Sequence, residues 1–305
     1  MIIDKYCDNE NIINELYQNK AEVLLEALPY IKEYFNEVVV VKLGGAIMED
    51  DDGLSNVLND IVLMKYVGIK VILLHGGGKQ ITKLMNEKNI EVKFCDGLRV
   101  TDEKSIEVVK MVLLGEINSK IVSFLNRHGK IAVGISGNDA NFIECRKKQF
   151  KKDGKDVDLG FVGEIIDIDE DFLKNLLDSD YIPVIATLGS DKYGNIYNIN
   201  ADTCACEIGS KLKAKKMILL TDVDGIKTNE NNTQKLISRL SINGANKLIN
   251  ENVISTGMIP KVRACIDALN NGVERTHILN GNNPHSILIE IFTDKGIGTM
   301  IVKDK

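Results

Sequence analysis

Two strand-to-glycine junctions in the chain share one design: Val41-Lys42-Leu43-Gly44-Gly45 and Leu74-His75-Gly76-Gly77-Gly78. Glycines at the C-terminal ends of buried parallel strands let backbone N–H groups close on an anion, and a helix N-terminus behind them adds a favourable dipole. Two such loops on neighbouring strands would hold two anionic groups face to face, with Lys42 as a cation aimed at the crevice. Either glycine pair alone reads equally well as a tight strand–helix turn, but the pairing and the lysine point to anion chemistry. Three further clusters fit phosphoryl transfer. Asn198-Ile199-Asn200-Ala201-Asp202 sets two amides and a carboxylate after a short strand and at a helix start, with Asn198 and Asn200 on one side of the extended chain. Thr221-Asp222-Val223-Asp224-Gly225 closes another buried strand, where open α/β sheets bind ligands. Gly257-Met258-Ile259-Pro260-Lys261 brings a second lysine just inside a helix. Singly, Asp202 reads as a helix N-cap and Lys261 as a surface position. Moving a phosphoryl group asks for cations, backbone donors and positioning rather than covalent help, and these clusters supply all three.

Other motifs fail on spacing. Lys79 follows a triple glycine, but no Gly-x-x-x-x-Gly-Lys-Ser/Thr loop exists. The dinucleotide fingerprint breaks at Ile81 after Gly76-Gly77-Gly78, and at Ile301 after Gly296 and Gly298. Around Ser136 the following glycine comes one place too early for a nucleophile elbow. Cys204 and Cys206 have no histidine near and read as small buried hydrophobes rather than zinc ligands. The basic run Arg146, Lys147, Lys148, Lys151, Lys152 and Lys155 straddles a hairpin tip and reads as a solvated turn.

The elements that must position these residues alternate along the chain. Near-continuous aliphatic runs at 38–41, 70–74, 131–135, 181–186 and 216–221 read as buried parallel strands. Stretches 54–67, 80–89, 104–126 and 171–178 read as helices, so the fold class is α/β with a mostly parallel sheet covered on both faces. Asp96-Gly97 and Asp153-Gly154 mark hairpins over 92–101 and 141–168. Before Glu37, Ile12, Ile13, Leu16 and Tyr17, then Val23, Leu24, Leu25 and Leu28, recur at helical spacing, with Pro29 expected to kink or break the helix. Such a helix must pack on its own domain or on another subunit.

Length and composition bound the reading. The 305 residues suggest about two lobes, and with no evident linker these would share one sheet. A hydrophobic share of 44% and a charged share of 27% describe a globular chain, not a disordered one. With 38 basic against 44 acidic side chains, the net charge of −6 argues against a nucleic-acid partner held by bulk electrostatics. The longest aliphatic runs fall far short of the about 18–20 apolar residues a bilayer requires, so no membrane association is expected. The acidic opening MIIDKYCDNE lacks the basic flank of a signal peptide, and six scattered cysteines form no disulfide framework. A reduced, cytoplasmic protein is expected.

Val-Lys-Leu-Gly-Gly, His-Gly-Gly-Gly, Gly-Leu-Arg-Val-Thr at 97–101, Asn-Ile-Asn-Ala-Asp, Thr-Asp-Val-Asp-Gly and Gly-Met-Ile-Pro-Lys occur in the order and approximate spacing of the amino-acid kinase superfamily. The chain resembles that superfamily from about Ala21 to Lys303, and within it the N-acetylglutamate kinases, without departure from the motif set. The resemblance implies a three-layer αβα sandwich: an N-terminal helix over 1–36, a lobe for the acyl amino acid over 37–188 and an ATP lobe over 189–305. It implies ATP-dependent phosphorylation of the side-chain carboxylate of N-acetyl-L-glutamate in arginine biosynthesis, with Mg2+ arriving on ATP and no dedicated metal ligands in the protein. By the same likeness Lys42 and Lys261 stabilise the migrating phosphoryl group, and Asp202 orients them. Gly44 and Gly45 serve the γ-phosphate; Gly77, Gly78, Arg99, Asn198 and Asn200 serve the acyl amino acid. Arg99 lies by the Asp96-Gly97 lid, where its planar fork suits a carboxylate. Asp222, Val223, Asp224, Gly225, Ile226 and Lys227 correspond to the adenine and ribose segment.

Residues 21–31 resemble the N-terminal helix of the arginine-inhibited branch, and Glu290 to Thr299 its C-terminal partner. That likeness implies L-arginine as inhibitor at Tyr30, Lys213, His277, Glu290, Gly296 and Gly298. It also implies a homo-oligomer, dimers joined through the helices into a hexamer, and leaves room for a nitrogen-signalling protein as partner. Two alternatives stay open: another amino-acid or carbamate kinase, or a non-catalytic arginine-sensing protein.

Overall fold

A computed structural model of the protein describes residues 10–230, 233–294 and 296–304. The opening nine residues, on which the leader reading rests, lie outside them. In chain order the elements are α1 (Glu10–Tyr34), β1 (Val38–Leu43), α2 (Asp51–Tyr66), β2 (Lys70–His75), α3 (Gly78–Glu87), β3 (Phe94–Cys95), β4 (Leu98–Arg99), α4 (Glu103–Lys110) and α5 (Ser119–Leu125). Then come β5 (Ala132–Ser136), β6 (Ile143–Lys147), β7 (Phe150–Lys152), β8 (Lys155–Val157), β9 (Gly163–Ile168), α6 (Glu170–Asp178), β10 (Ile182–Ala186), β11 (Leu188–Ser190), β12 (Ile196–Asn198) and α7 (Ala201–Lys211). The rest is β13 (Lys216–Thr221), β14 (Lys227–Glu230), β15 (Thr233–Leu236), β16 (Arg239–Ser241), α8 (Ile242–Asn250), α9 (Ile259–Asn270), β17 (Arg275–Asn280), α10 (Ser286–Phe292) and β18 (Thr299–Val302).

An eight-stranded sheet in the order β16-β18-β17-β13-β1-β2-β10-β5 runs through both halves of the chain. Its pairs are parallel except β17–β18. Its central strands are buried on both faces. Val39, Val41, Val71 and Leu73 join one apolar cluster with α2, α4, α5 and α10, while Val40, Ile72 and Leu74 join another with α6, α7 and α9. Burial on both sides explains why these strands read as unbroken aliphatic runs rather than alternating ones. The result is a three-layer αβα sandwich around a mostly parallel sheet.

Three local expectations change. The helix at the start does not end at Pro29, which lies inside α1. Beyond the proline, the last turn is held by partners on the C-terminal half: Tyr30 donates to Asp294, Glu33 pairs with Arg275, and Tyr34 is buried. These contacts make up for the backbone bond that proline cannot donate. The single helix expected over 104–126 is interrupted by a π-helical stretch, Met111–Asn118, between α4 and α5. Its wider turn sets Leu113 and Ile117 over Gly77, where a Cβ would meet them at 2.8 and 2.7 Å. Finally, no helix starts directly behind Gly44-Gly45. A 3-10 turn (Ile47–Glu49) intervenes, and α2 begins only at Asp51, capped by Asp50.

Both Asp-Gly turns are hairpin tips, with Asp96, Gly97, Asp153 and Gly154 all at positive φ. The basic run around the second tip is matched by acids, in the pairs Arg146–Glu164, Lys147–Asp158, Lys151–Asp156 and Lys152–Asp96. Cys204 and Cys206 are buried, and burial pushes the Cys206 thiol up to about 12. No helix among the described residues is long and apolar enough to cross a membrane.

Candidate active site

Strand alternation places Lys42 on the same face as Val40, the face covered by α7. The first turn of α7 carries Asp202, and α7 packs against α9, whose first turn carries Lys261. The two lysines meet on this one carboxylate: Lys42 Nζ lies 2.8 Å from Asp202 Oδ1, and Lys261 Nζ donates to Oδ2 at 2.7 Å. Asp202 is therefore not the helix cap that it resembles when read singly. Asn200 caps α7 instead, its Oδ1 accepting from the backbone N–H groups of Asp202 and Thr203 at 3.0 Å each. That division of labour frees both carboxylate oxygens for the lysines. Burial raises the Asp202 carboxyl, but the two cations outweigh it and hold the group at about 2. For Lys42 burial is the larger influence and lowers its pKa; Lys261 adds to that, and Asp202 opposes it.

The triad borders a cavity of about 530 Å³ walled also by Gly45, Gly76, Gly77, Gly78, Arg99, Asn198 and Asn200. Gly77 caps α3, which starts at Gly78, so the second glycine loop does present a helix N-terminus. Gly44 is not in that wall and has a packing task besides. A Cβ there would stand 2.6 Å from the Leu220 carbonyl oxygen, so its bare backbone lets the first loop pack against β13.

His75, read only as part of a motif, orders the second loop. Its ring is fully buried, with Nδ1 3.1 Å from the Gly76 carbonyl and Nε2 3.1 Å from the Asn118 amide nitrogen. Burial lowers its pKa to about 4, so the neutral ring donates through Nδ1 and accepts through Nε2. Asn118 also donates to the Val184 carbonyl at 2.9 Å, tying the π-helical stretch to β10. Nothing in the sequence spacing signals this partner, because it depends on the wider π turn.

Arg99 is buried at the end of β4. Its Nη2 donates to the Gly78 carbonyl and to Thr82 Oγ1, both at 2.7 Å, and its guanidinium stands 4.7 Å from the Phe94 ring centroid. These contacts hold a buried cation in the cavity wall that the lysines also line. Asn198 approaches Thr101 Oγ1 at 3.5 Å from the end of β12.

Residues 222–227 lie outside this cavity wall, beside it. Asp222 and Val223 are exposed after β13. Asp224 accepts from Asn280 at 2.9 Å and pairs with Lys227 at 2.8 Å. Gly225, at φ +137°, and the buried Ile226 are anchors, the Ile226 N–H donating to Thr299 Oγ1 at 2.8 Å.

A second cavity of about 530 Å³ opens between the last turns of α1 and the C-terminal half, lined by Tyr30, His277, Glu290 and Gly296 among others. His277 Nδ1 lies 2.8 Å from Glu290 Oε1. Tyr34, Lys216 and Arg275 share this wall without having been singled out in the sequence. Lys216 stands over the Tyr34 ring, and burial lowers its pKa to about 8. Lys213 and Gly298 are elsewhere. Lys213 sits exposed in a left-handed turn after α7, and Gly298 is buried where a Cβ would stand 2.3 Å from the Ile278 carbonyl oxygen.

Comparison with known proteins adds to this geometry. The amino acid kinase family matches residues 37–280. Acetylglutamate kinase of Petrotoga mobilis is 49% identical over 286 residues, 94% of this chain and 94% of that one. Acetylglutamate kinase of Carboxydothermus hydrogenoformans is 47% identical over 291 residues, 94% of this chain and 99% of that one. Among solved structures, N-acetylglutamate synthase from Neisseria gonorrhoeae superposes with a TM-score of 0.84 at 28% identity. That match covers 93% of this chain but 64% of the synthase, so the chain spans less than two thirds of its length. Carbamate kinase from Giardia lamblia, at 16% identity and a TM-score of 0.65, shares the fold over 88% of this chain. A family match from just before β1 to the end of β17, with 49% identity to a relative over 94% of the chain, settles the family: the chain belongs to the amino acid kinase family.

Proposed function

We propose that the protein transfers the γ-phosphoryl group of ATP to the side-chain carboxylate of N-acetyl-L-glutamate, a step of arginine biosynthesis in the cytoplasm. The observation that carries this reading is the meeting of Lys42 and Lys261 on the two oxygens of Asp202, in the wall of a glycine-lined cavity. The acceptor carboxylate is ionised at neutral pH and needs no general base. One of its oxygens attacks the γ-phosphorus in line; the new O–P bond forms as the bond to the β,γ-bridging oxygen breaks, leaving ADP and an acyl phosphate. Lys42 and Lys261 flank the migrating group from opposite sides, Gly44 and Gly45 serve its oxygens, and Gly77 and Gly78 the acceptor. Among residues 222–227, Asp222 and Val223 offer the exposed edge for adenosine. Among the described residues Asp202 is the one carboxylate in the cavity wall, and both its oxygens are taken by lysines. Mg2+ would accordingly arrive on ATP rather than on protein carboxylates, and would supply neutralisation of phosphate charge.

Trapping the product with hydroxylamine tests the reaction. ATP with N-acetyl-L-glutamate is expected to give one hydroxamate per ADP; equal or faster turnover of L-glutamate, aspartate or carbamate would assign another acceptor, and none at all a binding protein. Arg99 and the amides of Asn198 and Asn200 would grip the acceptor's carboxylate and acetyl groups. Arg99→Ala is then expected to raise KM for N-acetyl-L-glutamate by about 10- to 100-fold, the loss of a charge-assisted bidentate contact, with KM for ATP little changed. Steady-state kinetics decide, and an effect confined to ATP contradicts the assignment.

The second cavity is the reading's site for feedback inhibition by L-arginine, with Glu290 facing the guanidinium and Tyr30, His277 and Gly296 around it. Glu290→Gln is expected to weaken arginine inhibition at least about tenfold while kcat stays near wild type, read from dose–response curves. Unchanged inhibition would move the effector elsewhere. The exposed Val23, Leu24 and Leu25 on α1 support a homo-oligomer joined through this helix, a hexamer built from dimers. A nitrogen-signalling protein remains a further candidate partner.

A further inference from the structure

Lys79 answers to no motif, yet its placement is specific. It is the second residue of α3, where a cation opposes the helix dipole and calls for a compensating anion. That anion is Glu49, the last residue of the 3-10 turn behind the first glycine loop, at 2.7 Å from the ammonium. The lysine stem runs past Gly45, where an added Cβ would stand 4.0 Å from Lys79 Cγ. Lys79 lines the main cavity and also a neighbouring one of about 410 Å³ that Glu49 shares. Asp222, in the segment that follows β13, is also close enough to act on the lysine's charge. Lys79 thus stands over the first glycine loop, between that loop's 3-10 turn and the segment that follows β13. Its side chain is 53% exposed and that of Glu49 48%, so their bond is a solvent-screened pair that a polyanion would readily replace.

Charge arithmetic makes a third cation useful. Lys42 and Lys261 share the negative charge of Asp202, which leaves the triad one net positive charge to add to that of Mg2+ at a triphosphate, Arg99 being assigned to the acceptor. We propose that Lys79 is a third cation for the phosphates of the nucleotide, exchanged between Glu49 and ATP; this rests on reading the main cavity as a phosphoryl-transfer site. Glu49 is then a positioning residue that competes with ATP for the ammonium.

Three variants test this: Lys79→Met, which keeps a stem over Gly45 and drops the charge, Lys79→Arg, which restores it, and Glu49→Gln. ATP binding is measured by calorimetry, and KM for ATP and for N-acetyl-L-glutamate by steady-state kinetics. Lys79→Met is expected to weaken ATP about tenfold in both Kd and KM, with KM for N-acetyl-L-glutamate unchanged within about twofold. Lys79→Arg recovers most of the loss, and Glu49→Gln tightens ATP about two- to threefold. Were Lys79–Glu49 only a tie between α3 and the 3-10 turn, Lys79→Met and Glu49→Gln would weaken ATP alike, and opposite signs exclude this. An unchanged ATP Kd in folded Lys79→Met, or an effect on the acyl substrate alone, overturns the proposal. Wild-type protein that binds ATP without phosphorylating N-acetyl-L-glutamate overturns the substrate reading and leaves the calorimetric result for Lys79 standing. Wild-type protein that binds no ATP overturns both.

Discussion

Lys42→Ala and Lys261→Ala are each expected to lower kcat by about 10³-fold while changing either KM by less than about fivefold. The reason lies in how the cations are held. Each ammonium is fixed on Asp202 before any phosphate arrives, so little reorganisation is needed as charge spreads over the migrating group. Contacts made at full strength only in the transition state appear in kcat, whereas contacts equal in ground and transition states appear in KM. Lys42 is also almost wholly buried, and that raises the strength of its interaction with a phosphoryl oxygen over what a surface lysine offers. Steady-state kinetics on variants whose circular dichroism matches wild type make the measurement. A folded variant with near wild-type kcat would remove that lysine from the chemistry.

Asp202→Asn carries the second large effect, about 10²-fold in kcat, and a change in pH dependence that a structural role would not produce. In the wild type the carboxyl is held at about 2 by two cations. A depressed carboxylate contributes stability above its unfolded value near 4 that is lost only as pH falls towards 2. The triad is therefore intact over the whole working range, and no acidic limb arises from Asp202. With a neutral amide in place of the carboxylate, the two ammonium groups face each other with no negative charge between them, and burial already pushes Lys42 down. Its charged form is then lost at lower pH than in the wild type, so the alkaline fall in kcat of the variant is expected to set in at lower pH than that of the wild type. A pH–kcat profile for Asp202→Asn that parallels the wild type would contradict the orienting role.

The sandwich was legible because its centre is simple. Val38 to Leu43 and Lys70 to His75 are buried on both faces, so each reads as an aliphatic run, and each ends in the glycines that mark its C-terminal end. The lysine–aspartate meeting was legible through the family resemblance, which gave Asp202 the task of orienting Lys42 and Lys261. What stayed hidden depends on geometry that spacing does not encode. Asn200 and Asp202 are both good caps, and only the helix register decides which one caps. The π-helical turn over 111–118 has the same apolar spacing as the α-helix expected there, so the Asn118–His75 contact had no signal. Pro29 reads as a break because the contacts that hold its last turn come from Arg275 and Asp294, far away in the chain. Lys213 shows the converse: it shortly precedes the cavity-lining Lys216 in the chain, yet it sits exposed in a left-handed turn and does not line that cavity.

The most direct measurement is a crystal structure with ADP, aluminium fluoride and N-acetyl-L-glutamate, in which the fluoride complex stands in for the phosphoryl group in flight. The expected result is both Lys42 Nζ and Lys261 Nζ within about 3 Å of that complex, on opposite sides of it, with the acceptor carboxylate in line with the leaving oxygen. A complex in which either ammonium stays turned away from the fluorides, or in which the acceptor lies out of line, would contradict the mechanism.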